Sequence, residues 1–247
     1  MTQIIVLAAG KGIRMNNHGQ PKVLTELNGK AIIQYLIDSI NQAKICKKPL
    51  IVVGYKANLV KQCLGKKYDY ILQKEQLGTG HAVACAKNHF LGKVDNILVL
   101  YGDHPFISSS TIKNLDLLHQ KEKRVLTMMT TIVKDFNSWR APLYDFGRVL
   151  RNDANEIIGI IEKKDATPLQ LEIKEVSPSY FCFKSDWLWK NIDKITNRNK
   201  QKEYYLPDLV KIAISQGHQI ASIIGNPLEC LGINTKEQLE LISKLNK

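Results

Sequence analysis

Apolar residues in the first hundred positions follow two alternating rhythms. QIIVLA (3–8), PLIVVGY (49–55), YDYILQ (68–73) and NILVLYGD (96–103) are short, apolar-rich runs, the pattern of strands buried on both faces. Between them, AIIQYLIDSINQA (31–43) sets Ile32, Ile33, Leu36, Ile37 and Ile40 on one helical face. Helices are predicted again over 57–64 and from about Thr79 to Phe90. This β-α-β-α order predicts a parallel sheet with helices on both faces.

The rhythm changes in the second half. RVLTMMTTIV (124–133) reads as a strand, and GRVLR (147–151) with EIIGIIE (156–162) reads as a hairpin around NDAN (152–155). Helices are predicted near 185–195 and 203–216, a strand near Gln219 to Ile224, and a last amphipathic helix over 236–245 with Asn234 or Thr235 as its N-cap. No repeat, low-complexity tract or linker interrupts the chain. The expected architecture is one α/β domain over 1–247, a Rossmann-like, mostly parallel sheet carrying a small β-rich lobe drawn mainly from about 135–183.

Composition narrows the possible partners. The 247 residues suffice for a substantial core. A net charge of +12 suggests anionic partners, but the lysines are scattered and no RNP-like, zinc-knuckle or helix-turn-helix signature accompanies them. They read as solvated faces, so no nucleic-acid partner is expected. Five cysteines, odd in number and without a C-x-x-C pair, indicate neither a zinc site nor a disulfide framework. The N-terminal apolar run is too short for a signal peptide, and nothing approaches the roughly 18 apolar residues that cross a bilayer. A cytoplasmic protein without a membrane partner is expected.

The unusual residues fall at the carboxyl ends of the predicted strands, where open α/β sheets bind ligands. Gly10-Lys11-Gly12 follows the first strand, with Arg14 and Lys22 further along the same segment. It matches neither G-x-G-x-x-G nor a Walker sequence. Glycines there still let backbone N–H groups approach phosphate oxygens while the cations neutralise charge; a glycine-rich surface turn is the alternative. QKEQLGTGHAV (73–83) brings Gln76, suited to a base edge, and Gly78-Thr79-Gly80 at a helix start; an ordinary capped helix is the alternative. Asp103 in YGDHPF (101–106) suits Mg²⁺, which takes one or two protein oxygens plus phosphate and water, or else caps a turn. Asn234 in GINT (232–235) is a second oxygen ligand or a helix cap.

Taken together, LAAGKGIRM, PKVL, EQLGTGHAV, LYGDHP, GRVLR, IIEKKDAT, EYY and GIN, spread in order over residues 7–234, resemble the sugar-nucleotidyltransferase superfamily. The likeness is nearest to the uridylyltransferase domain of the bacterial bifunctional N-acetylglucosamine-1-phosphate uridylyltransferase/glucosamine-1-phosphate acetyltransferases. The resemblance implies the nucleotide-diphospho-sugar transferase fold, with UTP and a sugar-1-phosphate as substrates. It places Leu7, Ala8, Ala9, Gly10 and Gly12 around the nucleotide, Gln73, Gln76, Gly78 and Thr79 at the uracil, and Arg14 and Lys22 as catalytic cations on the phosphates. It also implies Mg²⁺ held by Asp103 and Asn234, and a sugar pocket of Tyr101, Gly147, Glu162 and Ser177. In-line attack by an already anionic phosphate needs no general base, so positioning and charge neutralisation carry the chemistry.

Three departures from that family touch the sugar side. Ser177-Pro178-Ser179 stands where the family has Asn-Thr-Gly, the segment 137–149 is longer, and Pro207 replaces a common Thr. Hexapeptide repeats are absent, so acetyl transfer is not expected, and a monomer or weak dimer is.

Overall fold

The computed structural model describes residues 1–12, 15 and 19–245. Strand β1 (Thr2–Ala8) leads through a short hairpin, β2 (Glu26–Leu27) and β3 (Lys30–Ala31), into helix α1 (Ile32–Ala43). Strand β4 (Leu50–Val53), helix α2 (Ala57–Leu64) and strand β5 (Asp69–Leu72) repeat the unit. Two short helices, α3 (Thr79–Ala84) and α4 (Lys87–Phe90), precede β6 (Asn96–Tyr101). The strands β5, β4, β1 and β6 lie side by side, all parallel, so their carboxyl ends share one rim. Ile4, Ile5 and Val6 of β1 and all of β4 are buried, as their unbroken apolar runs require.

Helix α5 (Ser109–Glu122), capped by Ser108 accepting from Thr111 N–H at 3.1 Å, leads into β7 (Leu126–Ile132). The apolar pattern assigns no element to α5. Its buried face carries Asp116 and His119 beside Ile112 and Leu115. Thr2 donates to Asp116 at 2.6 Å and Thr127 lies 2.9 Å from the His119 ring. Polar groups satisfied by strand threonines occupy core positions, which erases the 3.6-residue signal.

The lobe follows. Strands β8 (Gly147–Arg151) and β9 (Ile157–Ile161) form the expected hairpin, α6 (Pro168–Leu171) is a single turn, and β10 (Glu175–Ser177) and β11 (Phe181–Lys184) run antiparallel to β7. β10 and β11 are two halves of one kinked strand. Met129 N–H donates to Tyr180 O at 3.0 Å across the break, and Ser179 turns the corner at φ +63° with its N–H on Ser177 Oγ at 3.1 Å. On one side of the kink β11 joins β6, while on the other β10 joins β8, which pairs in turn with β9. One bend therefore divides a continuous sheet into a main body and a lobe.

Helices α7 (Ser185–Asn191) and α8 (Asp208–Ser215), strand β12 (Ala221–Ile224), parallel to β7, and helix α9 (Lys236–Leu245) complete the chain. One core packs α1, α2 and α5 on one face of the sheet. A second packs α3, α7 and α8, with Trp187 and Trp189, on the other. Two expected helices are shorter than their patterns. The 79–90 helix breaks at Cys85–Ala86, and the 203–216 helix begins only at Asp208 because residues 204–206 bond to Leu77, Thr79 and Gly80 instead. No helix among the described residues is long and apolar enough to cross a membrane, and all five cysteines are free thiols.

Candidate active site

The parallel strands deliver the loops after β1, β5 and β6 to one rim. Gly102 N–H donates to Leu7 O at 2.9 Å and Tyr55 N–H to Ala9 O at 3.1 Å, which fixes the backbone of Leu7–Gly10 as one wall of a cleft. Gly54 lets that wall meet the next loop: a Cβ there would stand 2.7 Å from Ala9 O and 3.0 Å from Gln76 Nε2. Gln73 is buried and acts as a brace, its amide nitrogen 3.1 Å from Gly78 O and 3.0 Å from His81 Nδ1. Gln76 Nε2 donates to Gln73 O at 3.1 Å.

A strap closes the cleft from above. Gly78, at φ +109°, would place a Cβ 2.6 Å from Tyr204 O. Tyr204 N–H donates to Leu77 O and Gly80 N–H to Tyr204 O, both at 2.8 Å, while Leu206 N–H donates to Thr79 Oγ1 at 3.0 Å. The resulting cleft, about 230 Å³, is lined by Leu7–Gly10, Lys22, Gln73, Gln76, Gly78, Thr79, Tyr101, Asp103 and the strap's Glu203. Most residues expected at a nucleotide and its phosphates thus share one cavity. Glu203 was signalled by the EYY motif, but nothing in the sequence alone placed it there.

At the cleft floor, Lys22 Nζ sits 2.5 Å from Asp103 Oδ2 and 2.7 Å from Asn234 Oδ1. Lys22 begins a 3₁₀ turn after Pro21, and Gly12 passes so close that a Cβ would lie 2.4 Å from Lys22 Cβ. Ile233 N–H donates to Asp103 O at 3.0 Å, which clamps the Asn234 segment to the end of β6. The cap ambiguity at α9 resolves in favour of Thr235. Its hydroxyl accepts from Gln238 N–H at 3.2 Å and Gln238 Oε1 accepts from Asn234 N–H at 2.7 Å, while the Asn234 carboxamide turns to Lys22.

Burial alone would raise the Asp103 carboxyl, but Lys22, and then His104, pull it below the ordinary range. Two oxygens converging on one ammonium form a cation-holding pair. Mg²⁺ asks for that donor set, one carboxylate and one amide oxygen with the remaining positions left to phosphates and water. The donor chemistry of Asp103 and Asn234 therefore fits a divalent ion. His104, buried beside them, lies 2.7 Å through Nδ1 from the Tyr180 hydroxyl and stacks on Tyr101 and Phe146. Burial lowers its pKa, against the pull of Asp103.

Across the cleft, the Tyr101 hydroxyl bonds to the side chains of Thr79 and Ser179, and burial raises its pKa far above the ordinary tyrosine value. Gly147 pairs with Ser177 across β8 and β10, and a Cβ on Gly147 would meet Glu162 Oε1 at 3.2 Å. The Glu162 carboxyl is pushed up to about 7, chiefly by burial and then by Asp208 and Asp165, with Arg148 opposing. The Ser177 hydroxyl accepts from Ser179 N–H, so it shapes the kink as well as facing Gly147. Arg14 lies outside the described residues.

A mixed sheet whose parallel strands carry at their carboxyl rim a glycine-bordered cleft, floored by Lys22, Asp103 and Asn234, is the nucleotide-diphospho-sugar transferase fold. UDP-glucose pyrophosphorylase complexed with UDP-glucose superposes with a TM-score of 0.80 at 17% identity, covering 100% of this chain and 98% of that one. A Bacillus anthracis protein described as a glucose-1-phosphate thymidylyltransferase, in complex with sucrose, superposes at 0.77 and 17% identity, covering 99% and 95% of the two chains. The chain belongs to the MobA-like NTP transferase domain family, whose model matches residues 4–144, and it is a nucleotidyltransferase. It is 38% identical over 244 residues to the Bifunctional protein GlmU of Clostridium botulinum (strain Eklund 17B / Type B), covering 98% of this chain and 51% of the relative. Against the same-named protein of Clostridium acetobutylicum it is 36% identical over 242 residues, covering 98% and 51%. The chain thus spans about half the length of the curated relatives it matches.

Proposed function

We propose that this chain is a Mg²⁺-dependent UTP:sugar-1-phosphate uridylyltransferase, with N-acetylglucosamine-1-phosphate as its leading sugar substrate. The observation that carries the reading is Lys22 held between Asp103 and Asn234 on the floor of a cleft walled by the Leu7–Gly10 backbone and by Gln76. The curated relatives, bifunctional proteins of the kind the sequence motifs resemble, favour this chemistry and this sugar.

In the proposed reaction, an oxygen of the sugar phosphate attacks the α-phosphorus of UTP in line. The P–O bond to the β-phosphate breaks, and pyrophosphate leaves with the electron pair. The nucleophile is already anionic, so the site owes it position rather than proton removal. The glycine-bordered backbone of Leu7–Gly10 and the Gln73-braced loop hold the nucleotide. Lys22, with Arg14 from the same segment, meets the phosphates as their charge builds. Asp103 and Asn234 would hold Mg²⁺, which when bound neutralises phosphate oxygens and keeps the tail in one conformation. Tyr101, Gly147 and Glu162 position the sugar.

A second reading keeps the reaction and changes the sugar. Ser177 offers a single hydroxyl proton, its oxygen already accepting from Ser179 N–H, where the resembled family offers an amide NH2, and this leaves fewer donors toward an acetamido group. Pyrophosphate release with UTP, Mg²⁺ and a panel of sugar-1-phosphates tests both. Release fastest with N-acetylglucosamine-1-phosphate, and lost by at least about a hundredfold in Asp103→Ala, is the expected result. Preference for another sugar selects the second reading, and no release with any member refutes the reaction.

A further inference from the structure

One side chain gathers the segment between β7 and β8. Arg148 is completely buried on β8, immediately after Gly147. Its guanidinium donates to Tyr144 O from both terminal nitrogens at 3.1 Å, to Phe146 O, and from Nε to Leu171 O at 3.3 Å. The guanidinium packs beside a pair of edge-to-face aromatic rings, 4.8 Å from the Phe136 centroid and 4.9 Å from that of Tyr144, the two centroids being 5.1 Å apart. Two lysines also lie over these rings, Lys174 over Phe136 and Lys163 over Tyr144. No described carboxylate makes a salt bridge to Arg148.

A buried cation satisfied by carbonyls and ring faces is a costly way to fill space. An aliphatic side chain of similar volume would pack there without a desolvation penalty. What the guanidinium supplies is a rigid planar fork with five donors that fixes several acceptors at set angles. Those acceptors belong to the two segments that border the sugar side of the cleft. Tyr144 and Phe146 lead directly into Gly147. Leu171 ends the stretch that starts at Glu162, whose own carbonyl accepts from Asp165 and Ala166 N–H. Lys163, beside Glu162, binds Asp145 at 2.6 Å and ties the same two segments at the surface.

We infer that Arg148 is a positioning residue for sugar-phosphate recognition: by holding the Tyr144, Phe146 and Leu171 carbonyls in one cage beside the Phe136 and Tyr144 rings, it sets the spacing of Gly147 and Glu162. The inference rests on the proposal that this side of the cleft holds the sugar phosphate. Every hydrogen bond from the Arg148 guanidinium ends on Tyr144, Phe146 or Leu171, so its influence falls first on one substrate.

Steady-state kinetics of Arg148→Lys and of the milder Phe136→Leu, with UTP and the sugar-1-phosphate varied in turn, test it. The expected result is a rise of about tenfold or more in KM for the sugar phosphate in Arg148→Lys, a smaller rise in Phe136→Leu, and KM for UTP within about twofold of the parent in both. Equal rises in both KM values, or unchanged KM values beside a lowered melting temperature, overturn the inference and leave Arg148 a stability residue. If Arg148→Lys does not fold, Phe136→Leu decides by the same criterion. An unmutated protein that turns over no sugar phosphate refutes the functional proposal itself, an outcome distinct from any difference between parent and variants.

Discussion

Single residues at this site show how burial and charge pull against each other. Asp103 stays ionised in a buried position because Lys22 lies 2.5 Å away. Glu162 makes no salt bridge among the described residues, and burial, with Asp208 and Asp165 nearby, outweighs the opposing Arg148 and pushes its carboxyl up from 4.5 to about 7. The folded state therefore holds a proton that the unfolded chain releases. The stability this contributes is complete below the ordinary glutamate range and is lost as pH rises through about 7. Glu162→Gln should raise the melting temperature at about pH 8, with the difference from the parent shrinking as pH falls toward about 5. Melting curves at several pH values check this, and a gap that widens toward acid pH contradicts the assigned shift. Little of this was legible in the sequence. The resemblance paired Asp103 with Asn234 as expected ligands of one ion, but the place of Lys22 between their oxygens is a product of folding across more than two hundred positions.

Among elements, the legible ones were those whose environment matches a simple period. β1, β4 and β6 are covered on both faces and read as unbroken apolar runs, and α1 buries one clean stripe. Helix α5 escaped because Asp116 and His119 take core positions. β10 and β11 escaped because Pro178 splits one strand into pieces of three and four residues. The start of α8 was misplaced because the chain before it serves as the strap over Gly78 and Thr79 rather than as a first helical turn. That strap makes its own prediction. Gly78→Ala needs the extended positive-φ backbone at φ +109° and ψ 177° that glycine alone adopts readily, and it drives a methyl against Tyr204 O, a strain of about 1–3 kcal/mol before any clash. The variant should lift the strap and raise KM for UTP more than KM for the sugar phosphate, the reverse of the Arg148 pattern. An unchanged KM for UTP contradicts the strap's role at the nucleotide.

Over the whole molecule, the division of labour follows the bend between β10 and β11. The main sheet presents the loops expected at nucleotide and phosphate, and the lobe presents Gly147, Glu162 and the Arg148 cage. Tyr101 stands at the junction, bonded to Thr79 on one side and Ser179 on the other. The α/β class and the rim at the carboxyl ends of the strands were readable from the β-α-β-α order alone, and the eight motifs carried the family. The lobe's details were not readable, because its contacts are made by backbone carbonyls and ring faces that leave no periodic trace. The net charge of +12 likewise gave no direction until the fold gathered Lys22 with its oxygen partners at the cleft floor. The central claim is that this rim binds a nucleoside triphosphate and a divalent ion together. A crystal structure of the protein with UTP and Mn²⁺, the ion located by its anomalous signal, tests it most directly. The account predicts the base beside Gln76, the metal between Asp103 and Asn234, and Lys22 moved onto the phosphates; a nucleotide or metal bound anywhere else contradicts it.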